Sequence, residues 1–437
     1  MSAIHQIANV PVTAHAFNAD RSQVAISPNT HEVQIFQSTG SGWQLLHTLT
    51  EHDKLVTSID WAPETNRIVT CSHDRNAYVW NLTSDPSTGR ETWQPTLVLL
   101  RLTRSATFAR WSPNEEKFAV ASGARTIAVC QFDEESNWWV AKHIKKPLRT
   151  TVLGLDWHPN SVLLAAGGAD GVARVFSAYI KGVDSKPSPS VWGERLPFNT
   201  VCGEFFSPAG GWVHGVAFSP SGDALAFVGH DSTLTIVYPS APEQPPRASY
   251  TVNLASLPCL SLTFTSEHAL IAAGHDCQPL TFEGSLEAGW TATGSLDQRT
   301  GSGASSNARG GGAAAAAAAA GGVGRLNRSE AFNMFRAADS RGVSSSPAAA
   351  GGASSSSSSP GLGAGQTLTS NGTELSTVHQ NTITSVRAYA RGGAQGDVTR
   401  VSTTGVDGRL VVWTVASAAS GSGGVGGVTR GMGGLNM

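Results

Sequence analysis

Short runs in which apolar and polar residues alternate recur along the chain, separated by turns of Pro, Asn, Gly and Asp. Ile59-Asp-Trp61-Ala-Pro63 leads to Arg67-Ile-Val-Thr-Cys-Ser-His-Asp74-Arg-Asn-Ala-Tyr-Val-Trp80. Leu155-Asp-Trp157-His-Pro159 leads in the same way to Leu163 and on through Asp170 to Phe176. Val216-Ala-Phe218-Ser-Pro220 leads to Leu225 and through Asp231 to Tyr238. Period-two alternation with Pro and Gly turns predicts short antiparallel strands. The positions that close successive units are Phe36, Trp80, Cys130, Phe176, Tyr238, Phe282 and Trp413, separated by 44, 50, 46, 62, 44 and 131 residues. Each separation is one period of about 44 plus an insertion. Seven units result.

A period of about 40–45 residues with a terminal Trp marks the blades of a WD-repeat β-propeller. One four-stranded blade cannot bury both its faces, so blades stack radially and close a ring that protects all but short edges. The fold class expected is therefore all-β, a seven-bladed propeller. Closure is expected by exchange, with His5 to Val10 supplying the outer strand of the blade that ends at Trp413.

Composition changes the picture in one region. From Gly301 to Gly365, 46 of 65 residues are Gly, Ala or Ser, which is too little apolar surface to offset the entropy of ordering the chain. The expected organisation is blades one to six over 1–282, a low-complexity insertion over 283–377, blade seven over 378–415 and a Gly-rich tail over 416–437, both biased stretches being disordered. The 30 Lys and Arg against 32 Asp and Glu leave a net charge of −2, which offers little to nucleic acid or an anionic membrane. No apolar run reaches bilayer length, and no signal peptide precedes the first blade. The five cysteines are widely spaced with no Cys-x-x-Cys pair, which points to free thiols in a reducing compartment.

His52, Asp74 and Trp80, and again His379, Asp407 and Trp413, suggest at first a His-Asp relay. In a WD blade, however, the His and Asp hydrogen-bond through Ser or Thr to the Trp indole and satisfy polar groups buried between blades. Asp170, Asp231 and Asp276 fall at the same turn, whereas the third unit has Ala124 and Cys130 in place of the Asp and the aromatic. Such scatter suits structural glue. The His-Asp pairs at 73–74, 230–231 and 275–276 are explained as one repeated turn. Gly421-Ser-Gly423-Gly-Val-Gly426 matches a dinucleotide fingerprint but has no helix after it. No catalytic residue, cofactor or metal is expected.

Two features read as docking surfaces. In Trp138-Trp-Val-Ala-Lys142-His-Ile-Lys145-Lys146-Pro147, aromatics precede cations, either as ordinary rim packing or as a protein-docking edge. Inside the insertion, the island 325–342 predicts a helix near 328–338 with Asn327 as N-cap and Glu330 three residues on. Met334 and Phe335 share its apolar face, with Phe332 beside them. A helix this short is marginal alone, so it docks either on its own propeller or in a partner's groove.

Several segments resemble one family. They include Cys71 to Trp80, Trp93 to Arg101, Trp111 to Val120, Trp138 to Pro147, Phe176 to Lys181, Gly211 to Val216 and Ala272 to Cys277. The chain resembles the WD-repeat subunit, subunit 1, of the actin-related protein 2/3 complex. The resemblance implies a non-enzymatic cytoplasmic subunit of the actin cytoskeleton, acting in nucleation of branched actin filaments. Its implied partners are the other subunits of the complex, the actin filament and nucleation-promoting factors, with no nucleic acid and no membrane insertion. It also implies that the Phe332–Phe335 island touches the mother filament. The Ala, Gly and Ser tracts around that island depart from the family's compact insertion. The competing readings are another propeller adaptor, such as a ubiquitin-ligase substrate receptor, and a propeller enzyme.

Overall fold

In the computed structural model, alternating segments form twenty-eight strands among the described residues, which pair into seven four-stranded antiparallel sheets. The structure describes residues 2–40, 42–84, 89–194, 196–241, 244–297, 375–392 and 396–415. The expected helix near 328–338 and the tail from 416 lie outside the described residues.

Blade one is β2 to β5 (Ala14–Phe17, Gln23–Ser27, Val33–Ser38, Trp43–Leu49). Blade two is β6 to β9 (Val56–Ala62, Arg67–Ser72, Ala77–Ser84, Glu91–Val98), and blade three is β10 to β13 (Ala106–Trp111, Lys117–Ser122, Ile127–Asp133, Trp138–Ile144). Blade four is β14 to β17 (Val152–Trp157, Leu163–Gly168, Val172–Ser177, Val201–Phe206), and blade five is β18 to β21 (Val213–Phe218, Leu225–Gly229, Thr233–Tyr238, Ala248–Asn253). Blade six is β22 to β25 (Cys259–Ser266, Ala269–Gly274, Leu280–Ser285, Gly289–Ser295). Blade seven is β26 to β28 (Ile383–Gly392, Asp397–Gly405, Arg409–Thr414) with β1 (Ala3–Gln6) as its outer strand. The first strands contact one another in sequence, and β26 returns to β2, so the ring closes.

All seven closing positions lie on the third strand of their sheets. The fourth strand follows the closing residue, so the boundary expected at 282 cuts through the sixth sheet, whose outer strand ends at Ser295. The closing exchange uses β1 in the register Ala3↔Val412 to Gln6↔Arg409, so the strand ends at Gln6 and not at the expected Val10. Ile7 and Ala8 both donate backbone hydrogen bonds to the Gly408 carbonyl, and Pro11, which has no N–H to offer a ladder, leads into blade one.

The core is divided into seven apolar clusters, one between each pair of neighbouring blades among the described residues. Middle strands are therefore covered on both faces. β15, Leu-Leu-Ala-Ala-Gly-Gly, is buried at every position, whereas the outer strand β21 alternates between half-buried and exposed. Small residues let the blades converge toward the axis. A Cβ on Gly154 would stand 2.7 Å from the His214 carbonyl oxygen of the next blade.

The 62-residue separation between Phe176 and Tyr238 reflects a loop between β16 and β17. Its Trp192 is fully buried against Phe218 and donates Nε1–H to the Gly222 carbonyl at 2.8 Å. Lys117 anchors the start of that loop from the neighbouring blade, donating to the Ala178 carbonyl and to the Asp184 carboxylate, with its side chain fully buried.

Candidate functional site

Blades two and seven carry the same buried network. His52 Nδ1 bonds the Asp74 carboxylate at 2.7 Å, and its Nε2 bonds Thr70 Oγ1 at 2.8 Å. Thr70 Oγ1 also accepts the Trp80 indole N–H at 3.0 Å. In blade seven, His379 meets Asp407 at 3.0 Å and Thr403 at 2.8 Å, and Trp413 donates to Thr403 at 2.8 Å. Burial opposes ionisation of Asp407, yet hydrogen bonds from His379, Gln380 and Arg409 hold its pKa below the ordinary value, and Asp74 behaves likewise. Each His is committed to an Asp on one side and a Thr on the other.

The other repeat aspartates use different partners. Asp231 accepts Ser207 and Thr233 hydroxyls, both at 2.7 Å. Asp170 pairs with Arg174 at 2.9 Å, and Asp276 accepts the Gln278 amide at 3.0 Å.

The axial channel holds charges that the sequence reading did not single out. Arg387 Nη1 meets Asp60 at 2.5 Å and its Nη2 meets the Ile59 carbonyl at 2.6 Å, while Arg110 reaches Asp156 at 3.3 Å. The second oxygens of Asp60 and Asp156 accept backbone N–H groups of Trp111 and Phe218 in following blades, at 2.8 and 2.9 Å. The repeated Asp-Trp of Asp60-Trp61 and Asp156-Trp157 was the available signal. These side chains separate an upper channel of about 250 Å³ from a lower mouth of about 450 Å³. The upper end is the one that carries the turns between second and third strands.

Two of the three His-Asp turns do meet at that upper mouth. His230 Nδ1 lies 2.9 Å from His214 Nε2, and His275 sits close enough to disfavour protonation of His214. Burial, then the adjacent His230 and His275, push His214 down to about 4. Trp212, 53% exposed, lies across His230 with ring centres 5.7 Å apart. No group of three or more His, Cys, Asp or Glu able to hold a metal occurs among the described residues.

On the rim, Trp139 is buried against Trp111 and Phe132, whereas Trp138 is 40% exposed. Trp138 and Phe132 overlook a groove of about 470 Å³ between blades two and three, floored by Pro95 and Leu97. Lys142 lies on the same outward side of β13 as Trp138, and Lys145 and Lys146 follow in the upper loop. All three lysines are exposed, and none forms an ion pair within 4.0 Å among the described residues. Phe332, Met334 and Phe335 lie outside the described residues. The chain leaves the sixth blade at Asp297 and returns at Leu375 on the upper face, where Val378 N–H donates to the Asp297 carboxylate at 2.5 Å and so ties the two ends together.

The WD domain, G-beta repeat family model matches residues 43–81 and 142–177. The chain is 48% identical over 414 residues to Actin-related protein 2/3 complex subunit 1 of Schizosaccharomyces pombe, covering 95% of this chain and 99% of that relative. It is 43% identical over 412 residues to subunit 1A-B of Xenopus laevis, covering 94% and 96%. It is 36% identical over 420 residues to subunit 1 of Saccharomyces cerevisiae, covering 94% and 97%. A closed ring of seven blades, matched end to end at such identities, means that the chain belongs to the actin-related protein 2/3 complex subunit 1 family.

Proposed function

We propose that this chain is a non-catalytic scaffold subunit of the actin-related protein 2/3 complex, working in the cytoplasm in nucleation of branched actin filaments. The observation that carries the reading is the near full-length match to relatives named as subunit 1 of that complex. The internal commitment of His52, Asp74, His379 and Asp407 supports it, because these groups are spent on tying each blade to its own turns. Of the candidate edge Trp138, Lys142, Lys145 and Lys146, the residues on β13, Trp138 and Lys142, serve a companion subunit, while Lys145 and Lys146 stand beyond it in the upper loop. The Phe332, Met334 and Phe335 island, tethered on the upper face, reaches the mother filament, and nucleation-promoting factors act on the assembled complex.

One experiment tests both levels. The full chain and its Phe332→Ala/Phe335→Ala variant are expressed in cells, captured, and assayed for stoichiometric co-purification with two actin-related proteins and for branching. Both chains are expected in the complex, with several-fold fewer branches from the variant at limiting actin. A free monomer beside an intact complex overturns the subunit assignment; unchanged branching overturns the filament contact.

A further inference from the structure

The net charge of −2 conceals a segregation that only the fold reveals. Three upper loops of blades three and four, residues 99–105, 123–126 and 145–151, carry Arg101, Arg104, Arg125, Lys145, Lys146 and Arg149, and no Asp or Glu. All six cations are exposed, and none has an ion pair within 4.0 Å among the described residues. The loops are bound to one another. His143 bonds the Leu100 carbonyl at 2.8 Å, Gly123 N–H bonds the Ser105 carbonyl at 3.0 Å, and a Cβ on Gly123 would lie 3.6 Å from Arg104 Cβ and 3.8 Å from Thr151 Oγ1. The patch has edges. Asp170 of the next turn is occupied by Arg174, and on the other side Glu51 and Asp53 offset Lys54 and Arg75.

We infer that this upper face of blades three and four binds the anionic surface of a membrane. The cations stand on turn tips at one end of parallel-stacked blades, so they present a shared plane. Beneath them Leu100, Leu102 and Leu148 are buried and hold the loops, so these apolar side chains are already covered and offer little to a peptide's anchor side chains. The loops also carry no aromatic on which a nucleic-acid base could stack. Charge alone gives a peptide fast encounter and little affinity. A bilayer instead offers many phosphates and carboxylates at once, and each cation near it raises partitioning about fivefold. Leu99, 49% exposed at the head of the first loop, adds an apolar side chain at headgroup depth.

The test is vesicle co-sedimentation of the full chain, alone and in its purified assembly. The vesicles are phosphatidylcholine, with or without about one-third phosphatidylserine. The wild type is expected on the anionic vesicles only, with binding that weakens as salt rises. Arg104→Glu/Lys145→Glu/Arg149→Glu should lower partitioning at least about a hundredfold. The control variant Lys181→Glu/Lys186→Glu, exposed on the opposite end of blade four, should bind as the wild type does, and circular dichroism checks that both variants fold. The inference is overturned if the wild type ignores anionic vesicles, or if the upper-face variant binds undiminished. It is equally overturned if polyglutamate or free inositol hexakisphosphate binds where vesicles do not. Binding by the isolated chain but not by the assembly also overturns it, since that result makes the face a subunit interface.

Discussion

Blades two and seven are joined to their own turns by the full His, Asp, Thr and Trp network, whereas blade three has none of it. In blade three the turn is held by short local bonds, with the Ser122 hydroxyl donating to the Thr126 carbonyl at 2.7 Å and the Thr126 hydroxyl donating to the Ala124 carbonyl at 3.1 Å. Its closing position is Cys130, fully buried beside Trp111, Phe118 and Trp139, where Trp111 packs edge to face on the other two rings at 5.0 and 5.7 Å. Both solutions give a four-stranded sheet of the same topology. Polar networks and apolar packing thus substitute for one another within a single ring, but they fail differently. A buried network is costly to leave half made, while an apolar cluster loses only the contacts that are removed.

The largest effect expected from this difference is at Asp407, whose side chain is fully buried. Asp407→Ala leaves His379 and the Gln380 N–H without their acceptor, and breaking a buried pair this way costs about 3–5 kcal/mol. The corresponding change in blade five, Asp231→Ala, removes a more exposed carboxylate held by two hydroxyls, and a cost of about 1–2 kcal/mol is expected. Urea denaturation of the two variants measures the gap. Equal losses would mean that the two kinds of turn do not differ energetically, and the comparison would collapse.

The second expectation separates the blades by pH. His15, on the first strand of blade one, bridges to blade seven through Ser402 and Thr404, each at 2.9 Å. Burial, then the nearby charges of Arg387 and His379, hold its pKa well below 6.5. Its neutral form is therefore favoured in the fold, so its contribution is complete above pH 6.5 and is lost as the pH falls through the folded value. Asp74 and Asp407 are depressed carboxylates, so their contributions are complete above 3.8 and are lost only in stronger acid. Melting temperature should fall in two stages on acidification. His15→Gln should make the first stage shallower by up to about 1.4 kcal/mol per pH unit for one proton, leaving the share of the other depressed histidines, such as His214, and the second stage intact. An unchanged slope in the variant would remove His15 from the ring-closing seam's pH response.

How much of this was legible in the sequence follows the same division. The period and turn chemistry gave seven units and their order, because every unit repeats a strand pattern that its neighbours must cover. The closing exchange was also readable, since a seventh blade with three strands needs a fourth from elsewhere, though its far end was misplaced toward Val10. The blade boundary was not readable from the closing aromatic, which marks the third strand rather than the fourth. The channel charges Arg110 and Arg387 were missed because their partners lie about 46 and 327 residues away and only the ring brings them together. Arg101, Arg104, Arg125 and Arg149 of the upper face were missed for the same reason, whereas Lys145 and Lys146 were noticed because they are adjacent in sequence. Loops gather chemistry by position in space, and a repeat pattern encodes only which positions are equivalent.

The smallest effect tests the apolar side of the comparison. Cys130 makes no hydrogen bond that its blade depends on, and burial pushes its thiol pKa upward, so it sits there as a small neutral apolar group. Its neighbours across the sheet are Phe118 on β11 and Ala141 on β13, a small residue that leaves room for a branched side chain. Cys130→Val therefore conserves both polarity and approximate volume, and a change within about 1.5 kcal/mol is expected. Cys130→Ser would separate size from polarity, because it keeps the size and buries a hydroxyl with no partner assigned to it, at about 1–3 kcal/mol. Denaturation midpoints of the two variants decide the matter. If valine is as damaging as serine, blade three depends on the thiol itself, and its packing is not the interchangeable substitute for the polar networks of blades two and seven.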